Sequence, residues 1–337
     1  MDRSAAWSKA LGVTRELVDS YSEIKKRCFE FLSVQTDGVD LNKFNPLSKV
    51  TVGNPWASQY DNQTRLSEIK LDVDRTFQEV SYFLKESTRQ SLINVLFVFT
   101  KNAQLGYRQG MNEICAILFY ISGGDEGEAF ALLHCMLQGA RFHQVDMFST
   151  STTPNPILIR CDTIFSLLES RDPRLHKHLV ANDVSPNLFL VRWIRLLFAR
   201  EFCFEQILLV WDYFFQEAES PVDSFAVAML IYARNDLLQS DNSGCFMRLL
   251  KFDFQKESIS ELVNLAKRVE NGDKDVLVAA PRIVSPPIVS PKGAARIGPA
   301  CCQLELVITS LKNKVVSNSI AQEISQLEDI VGFLKLN

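Results

Sequence analysis

Two short polar segments hold the side chains whose types and spacing could do chemistry. The first is Ile69-Lys70-Leu71-Asp72-Val73-Asp74-Arg75-Thr76-Phe77. On a helix, Ile69, Asp72 and Arg75 stand at i, i+3 and i+6, roughly one face. An acid three residues before an arginine can hold the guanidinium in one pose. The second is Tyr107-Arg108-Gln109-Gly110-Met111-Asn112-Glu113. It falls between two helical patterns, which puts Gln109 on a loop or at a helix entry. Gly110 lets the backbone turn there, or approach a partner closely. Taken singly, each segment has a plainer reading. The first is a surface ion pair of the kind found on most helices. The second is a helix-connecting turn with a polar residue.

The rest of the chain removes competing chemistries. No G-x-x-x-x-G-K-[ST] occurs, so the chain does not bind a nucleotide through a P-loop. There is no G-x-S-x-G, no H-E-x-x-H and no kinase set. The histidines are His134, His143, His176 and His178. The rings of His176 and His178 would splay apart on a strand or a helix, so no metal site is expected. The eight cysteines are Cys28, Cys115, Cys135, Cys161, Cys203, Cys245, Cys301 and Cys302. None forms a C-x-x-C pair and most sit in apolar stretches, the pattern of buried, reduced thiols in an intracellular protein.

Composition sets the class. A chain of 337 residues, 47% hydrophobic and 23% charged, is an ordinary globular one with room for one large domain or two small ones. A net charge of −4 argues against a nucleic-acid partner. The start, Met1 to Trp7, lacks the apolar core of a signal peptide. The longest apolar run, about Phe225 to Ala233, falls far short of the roughly 20 residues of a spanning helix. A cytoplasmic protein follows, with no transmembrane segment and membrane association only through partners.

The elements that must position the two segments are helical. Leu17, Tyr21, Ile24, Cys28 and Phe31 mark one helix face. Ser87-Thr88-Arg89-Gln90 reads as a capping box opening a helix that carries Leu92, Val95, Leu96 and Phe99. Met111 to Ile121 is apolar and stops at Gly123-Gly124. Ile157, Cys161, Ile164, Phe165 and Leu168 make a stripe ending near Asp172-Pro173. Ser185-Pro186 reads as an N-cap and first helical position, leading into Trp193, Ile194 and Leu197. Phe204, Ile207, Leu208, Trp211 and Phe214 form the next stripe. Trp193, Trp211 and Phe214 recur at helical spacing among aliphatics and are expected in the core. No alternating strand pattern occurs, so the class is all-α.

Residues 1–270 read as one domain, 271–300 as a proline-rich linker and 301–337 as an amphipathic, coiled-coil-like helix that could contact another protein.

In order along the chain, these motifs resemble those of the TBC domain of Rab GTPase-activating proteins. Arg3-x-x-x-Trp7 is similar to the family's opening motif. Asn54-Pro55-Trp56 precedes the arginine motif, as in some branches. Ile69-x-x-Asp72-x-x-Arg75 and Tyr107-x-Gln109 resemble its two signatures. Phe189 to Trp193, Arg200-Glu201-Phe202 and Trp211-Asp212 resemble its second half. The family usually has glycine where Ser4 stands, and a lead into the first helix where only two residues precede Arg3.

The resemblance implies a V-shaped multi-helix bundle that binds a GTP-loaded Rab on endomembranes, in vesicle traffic. Arg75 would be an arginine finger and Gln109 a glutamine finger. Asp72 would orient Arg75, and Tyr107 would shape the loop carrying Gln109. Ile69, Gly110 and Asn112 would support them, with Arg3 and Trp7 as structural residues. GTP and magnesium would belong to the GTPase, leaving this chain with no cofactor of its own. The alternative is a catalytically silent TBC-fold scaffold that binds a Rab. Family members that serve so have lost a finger, whereas Arg75 and Gln109 are both present here.

Overall fold

The computed structural model describes residues 2–30, 55–103, 106–139, 148, 155–216, 221–252 and 258–273. Of the linker expected over 271–300 only 271–273 are described, Asn271 being the last residue of a helix, and the rest of it and the helix expected over 301–337 lie outside the described residues, as do Asn54, His143, Cys301 and Cys302. Every regular element among the described residues is helical.

The helices are α1 (Arg3–Leu11), α2 (Arg15–Glu30), α3 (Pro55–Asp74), α4 (Glu86–Asn102), α5 (Met111–Ile121), α6 (Glu126–Gln138), α7 (Pro156–Arg171), α8 (Pro173–Ala181), α9 (Asn187–Arg195), α10 (Phe204–Phe214), α11 (Pro221–Tyr232), α12 (Arg234–Leu238), α13 (Asn242–Leu250) and α14 (Ser258–Asn271). A 3₁₀ turn, Ser81–Leu84, precedes α4.

The local stops fall where the sequence places them. Ser122 ends α5, and Gly123 and Gly124 follow with φ of 66° and 88°, a left-handed exit that only glycine makes without strain. Asp172 closes α7 and opens α8, its carboxylate accepting the Leu175 amide at 3.0 Å. Pro186 already holds helical dihedrals at the mouth of α9.

One start differs. Helix α4 begins at Glu86 with Lys85 as its N-cap and no side-chain cap, so Ser87 lies inside the first turn. Tertiary anchoring replaces the capping box. Phe83 is buried just upstream, and Arg89 Nε donates to its carbonyl at 3.1 Å.

Two layers of apolar packing follow from the stripes. Tyr21, Ile24 and Cys28 bury the inner face of α2 against α4 and α6. Helix α5 is buried on nearly all sides, as a helix apolar all round must be, and α4 is buried from Val95 to Thr100. Further along, α11 is buried along its whole length and packs on α14. Trp193, Trp211 and Phe214 are fully buried there, as expected. Phe225 stacks edge-on to Phe198 at 5.0 Å and to Phe214 at 5.4 Å.

The thiols among the described residues are all free. Cys28, Cys115, Cys161 and Cys245 are buried, but Cys203 is exposed, because it sits at the N-cap of α10, outside the stripe.

Candidate functional site

Helix α3 ends one residue short of Arg75. The Arg75 amide bonds to the Asp72 carbonyl at 3.3 Å and the Thr76 amide to that of Val73 at 3.1 Å, the tighter i to i+3 closure of a fraying end. Phe77 then takes a φ of 42° and swings its ring against Phe83 and Phe204. Ile69, Asp72 and Arg75 therefore do not share one exposed face. Ile69 is buried, the Asp72 side chain is 8% exposed and the Arg75 side chain is 57% exposed. Asp72 Oδ1 accepts from Arg75 Nη2, so a buried acid holds one terminal nitrogen of an exposed guanidinium.

Gln109 lies in a tight turn over 108–111, closed by the Met111 amide on the Arg108 carbonyl at 3.1 Å. Gly110 takes a φ of 104° at its third position. That left-handed conformation calls for glycine, and a Cβ there would also have to push aside the Leu196 Cδ2 methyl, 2.1 Å away. Gln109 is exposed at the tip.

A buried polar network joins the two segments. The Tyr107 hydroxyl donates to Asp72 Oδ2 at 2.8 Å. Burial first, then that carboxylate, pushes the hydroxyl well above the ordinary phenol range, so it stays a proton donor. Asn112, fixed in the first turn of α5, uses both ends of its amide. Its Oδ1 accepts the Gly110 amide at 3.0 Å, and its Nδ2 donates to Thr76 Oγ1 at 2.8 Å. Thr76 in turn donates to the Asp72 carbonyl at 2.7 Å. The residues on either side of Arg75 and the residue after Gln109 are thus held by one pair of side chains.

Arg3 and Trp7 go elsewhere. Arg3 Nε donates to Asp212 at 2.8 Å, and Trp7 Nε1 donates to the same carboxylate at 3.0 Å. Trp7 also packs on Trp211 and Phe215. They tie α1 to α10, and among the described residues neither shares a hydrogen bond with the Asp72–Asn112 network. Thr76, Phe77 and Leu196 were not singled out in the sequence. The hydroxyl beside Arg75 was a readable signal for Thr76; nothing local marks Leu196 as the neighbour of Gly110.

No group of three or more His, Cys, Asp or Glu side chains among the described residues could hold a metal ion. Among them, no helix is long and apolar enough to cross a membrane. The site's chemistry is that of an outward cation and an outward carboxamide on a rigid base, suited to anionic groups on another molecule.

Comparison with known proteins gives the family: the model described as the Rab-GTPase-TBC domain matches residues 3–238, and the chain belongs to that family. Among curated relatives, "TBC1 domain family member 5" of Homo sapiens is 30% identical over 264 residues, 64% of this chain and 33% of that protein. "TBC1 domain family member 5 homolog B" of Dictyostelium discoideum is 36% identical over 126 residues, 36% of this chain and 12% of that protein. The chain thus spans about a third of the human relative's length. Two solved structures share the fold. The Ypt/Rab-GAP domain of Gyp1p aligns at a TM-score of 0.58 with 18% identity, covering 80% of this chain and 88% of that one. The Chlamydomonas flagellar RabGAP TBC domain aligns at 0.53 with 21% identity, covering 82% of this chain and 78% of that one.

Proposed function

We infer that this chain is a GTPase activator that completes the active site of a GTP-bound Rab-family small GTPase, on endomembranes, with Arg75 and Gln109 supplied in trans. One observation supports this most: Arg75 and Gln109 are exposed while the side chains around their bases are buried and bonded to each other. Such a pair is preorganised, so little ordering remains to be done when a partner arrives.

In hydrolysis, water attacks the γ-phosphorus and the bond to the bridging oxygen of GDP breaks, leaving GDP and inorganic phosphate. Negative charge spreads over the transferring group and the leaving oxygen. The Arg75 guanidinium donates hydrogen bonds to that charge. The Gln109 carboxamide accepts a hydrogen bond from the attacking water and donates one to a γ-oxygen. Asp72 keeps the guanidinium aimed. The nucleotide and magnesium are the GTPase's, and this chain contributes no cofactor. An arginine supplied in trans is worth about 10³–10⁵ in rate, or roughly 4–7 kcal/mol of barrier.

Single-turnover hydrolysis across a panel of GTP-loaded Rab proteins tests this. One Rab should be accelerated by the wild type, and that acceleration should collapse with Arg75→Ala and with Gln109→Ala. A Rab that binds all three proteins equally and is accelerated by none would instead make the chain a silent scaffold.

A further inference from the structure

Beside Gln109 opens a cleft of about 480 Å³. One wall is the turn carrying Arg108 and Gln109. The other is the outer face of α9, where Leu188, Val191, Arg192 and Arg195 recur at i, i+3, i+4 and i+7. Leu196 and Arg200 close the end. Four arginines therefore line one depression in a chain whose net charge is −4.

Their charges are not equivalent. Arg192 donates to Glu201 at 2.7 Å, and Arg200 to Glu113 at 2.7 Å. The Arg108 guanidinium is exposed and meets only the Tyr107 carbonyl, at 3.4 Å, making no ion pair among the described residues. Arg195 is half-buried on the same wall. Leu188 projects between these cations and is 62% exposed, an apolar side chain on a charged wall. Asn187 also lines the cleft, and its buried side-chain oxygen has no hydrogen-bond partner among the described residues.

The geometry points to this cleft as the seat of an acidic, apolar-flanked segment of the GTPase itself, which docks against Arg108, Arg195 and Leu188 while Gln109 reaches the nucleotide. This rests on the reading of the chain as a Rab activator and adds how the partner is chosen. The chemistry favours a protein segment over a phosphorylated headgroup. A multiply charged phosphate would meet the carboxylates of Glu113 and Glu201 behind two of the arginines. It also has little to offer Leu188, and at neutral pH no steady proton for Asn187. An extended peptide supplies a carboxylate, an apolar side chain and a backbone N–H together. Because the cleft shares Arg108 and Gln109 with the turn, whatever fills it stands next to the bound nucleotide.

The test titrates wild type, Arg108→Glu and Leu188→Asp into a single-turnover assay with the Rab that responds to the wild type, at low and high salt. Both variants should raise the half-saturating concentration about tenfold, with the loss falling there rather than on the saturating rate. Arg108→Glu should also flatten the salt dependence. Leu188 lies far from the Gln109 turn in sequence, so it separates docking from damage to that turn. Wild-type titration by either variant, or a shift in Arg108→Glu alone, overturns the proposal while leaving the activator reading intact. Acceleration of no Rab by the wild type removes the activator reading and the proposed occupant with it. Loss of binding to phosphatidylinositol-phosphate vesicles by Arg108→Glu, with its Rab titration unchanged, assigns the cleft to a lipid headgroup and also overturns it.

Discussion

The corner that carries Arg75 and Gln109 and the core around Phe225 are built in opposite ways. The corner is held by directional bonds among few atoms: Tyr107 to Asp72, Asn112 to Gly110 and Thr76. The core is held by rings, with Phe198, Phe214 and Phe225 in edge-on or tilted contact within 6 Å. Polar bonds contribute little net stability each but fix angles closely, and leaving one unmade inside the protein is costly. Ring packing contributes much stability and tolerates small shifts. The molecule places geometry where chemistry needs it and bulk stability elsewhere.

That division can be broken by substitution. The largest effect is expected from Arg75→Ala, a loss of about 10³–10⁵ in activated rate. Its thermal midpoint should fall modestly, because the buried Asp72 carboxylate loses its cation but keeps the Tyr107 hydroxyl; a large drop would mean that the guanidinium is structural. Next comes Phe225→Ala, which should cost about 3–5 kcal/mol in urea unfolding while the molecules still folded keep their activity. The smallest but most telling is Asn112→Ala. It leaves the Gly110 N–H and the Thr76 hydroxyl without their buried partner, so about 1–3 kcal/mol of stability should go. Activity should fall with it, because both fingers lose a common support. An Asn112→Ala protein that loses stability and keeps its full rate would show that the network holds the fold and not the site.

Much of this was legible in the chain because it is local. Gly123-Gly124 stops α5, and Asp172-Pro173 separates α7 from α8, through conformational preferences that need no tertiary partner. Asp72 and Arg75 are three residues apart, so their pairing could be read. The expectation that Ile69, Asp72 and Arg75 share one face holds for Ile69 and Asp72, both buried, but not for Arg75, which lies beyond the end of α3 at Asp74 with its side chain in solvent. The start of α4 was misread because buried Phe83 and its bond from Arg89 outweigh a capping pattern that sits two residues late. Long-range partners left no mark. Leu196 approaches Gly110 from the far side of a turn in which Leu197 and Phe198 hold φ of 47° and 63°. That strain, roughly 1–3 kcal/mol per residue, is offset by the complete burial of the Phe198 ring.

The first helix has a consequence in time. Arg3 and Trp7 both bind Asp212, which the ribosome adds 209 residues after Arg3. At roughly 5–20 residues per second, that is on the order of 10–40 s during which the Trp7 indole lacks the carboxylate and the rings it meets at residues 211–215. For that interval α1 has α6 to rest on, through contacts such as Ser4 to Glu128, but its indole is uncovered on the α10 side. Chaperones that recognise uncovered apolar side chains have their opening here, before the docking that hides Trp7 against Trp211 and Phe215 is available.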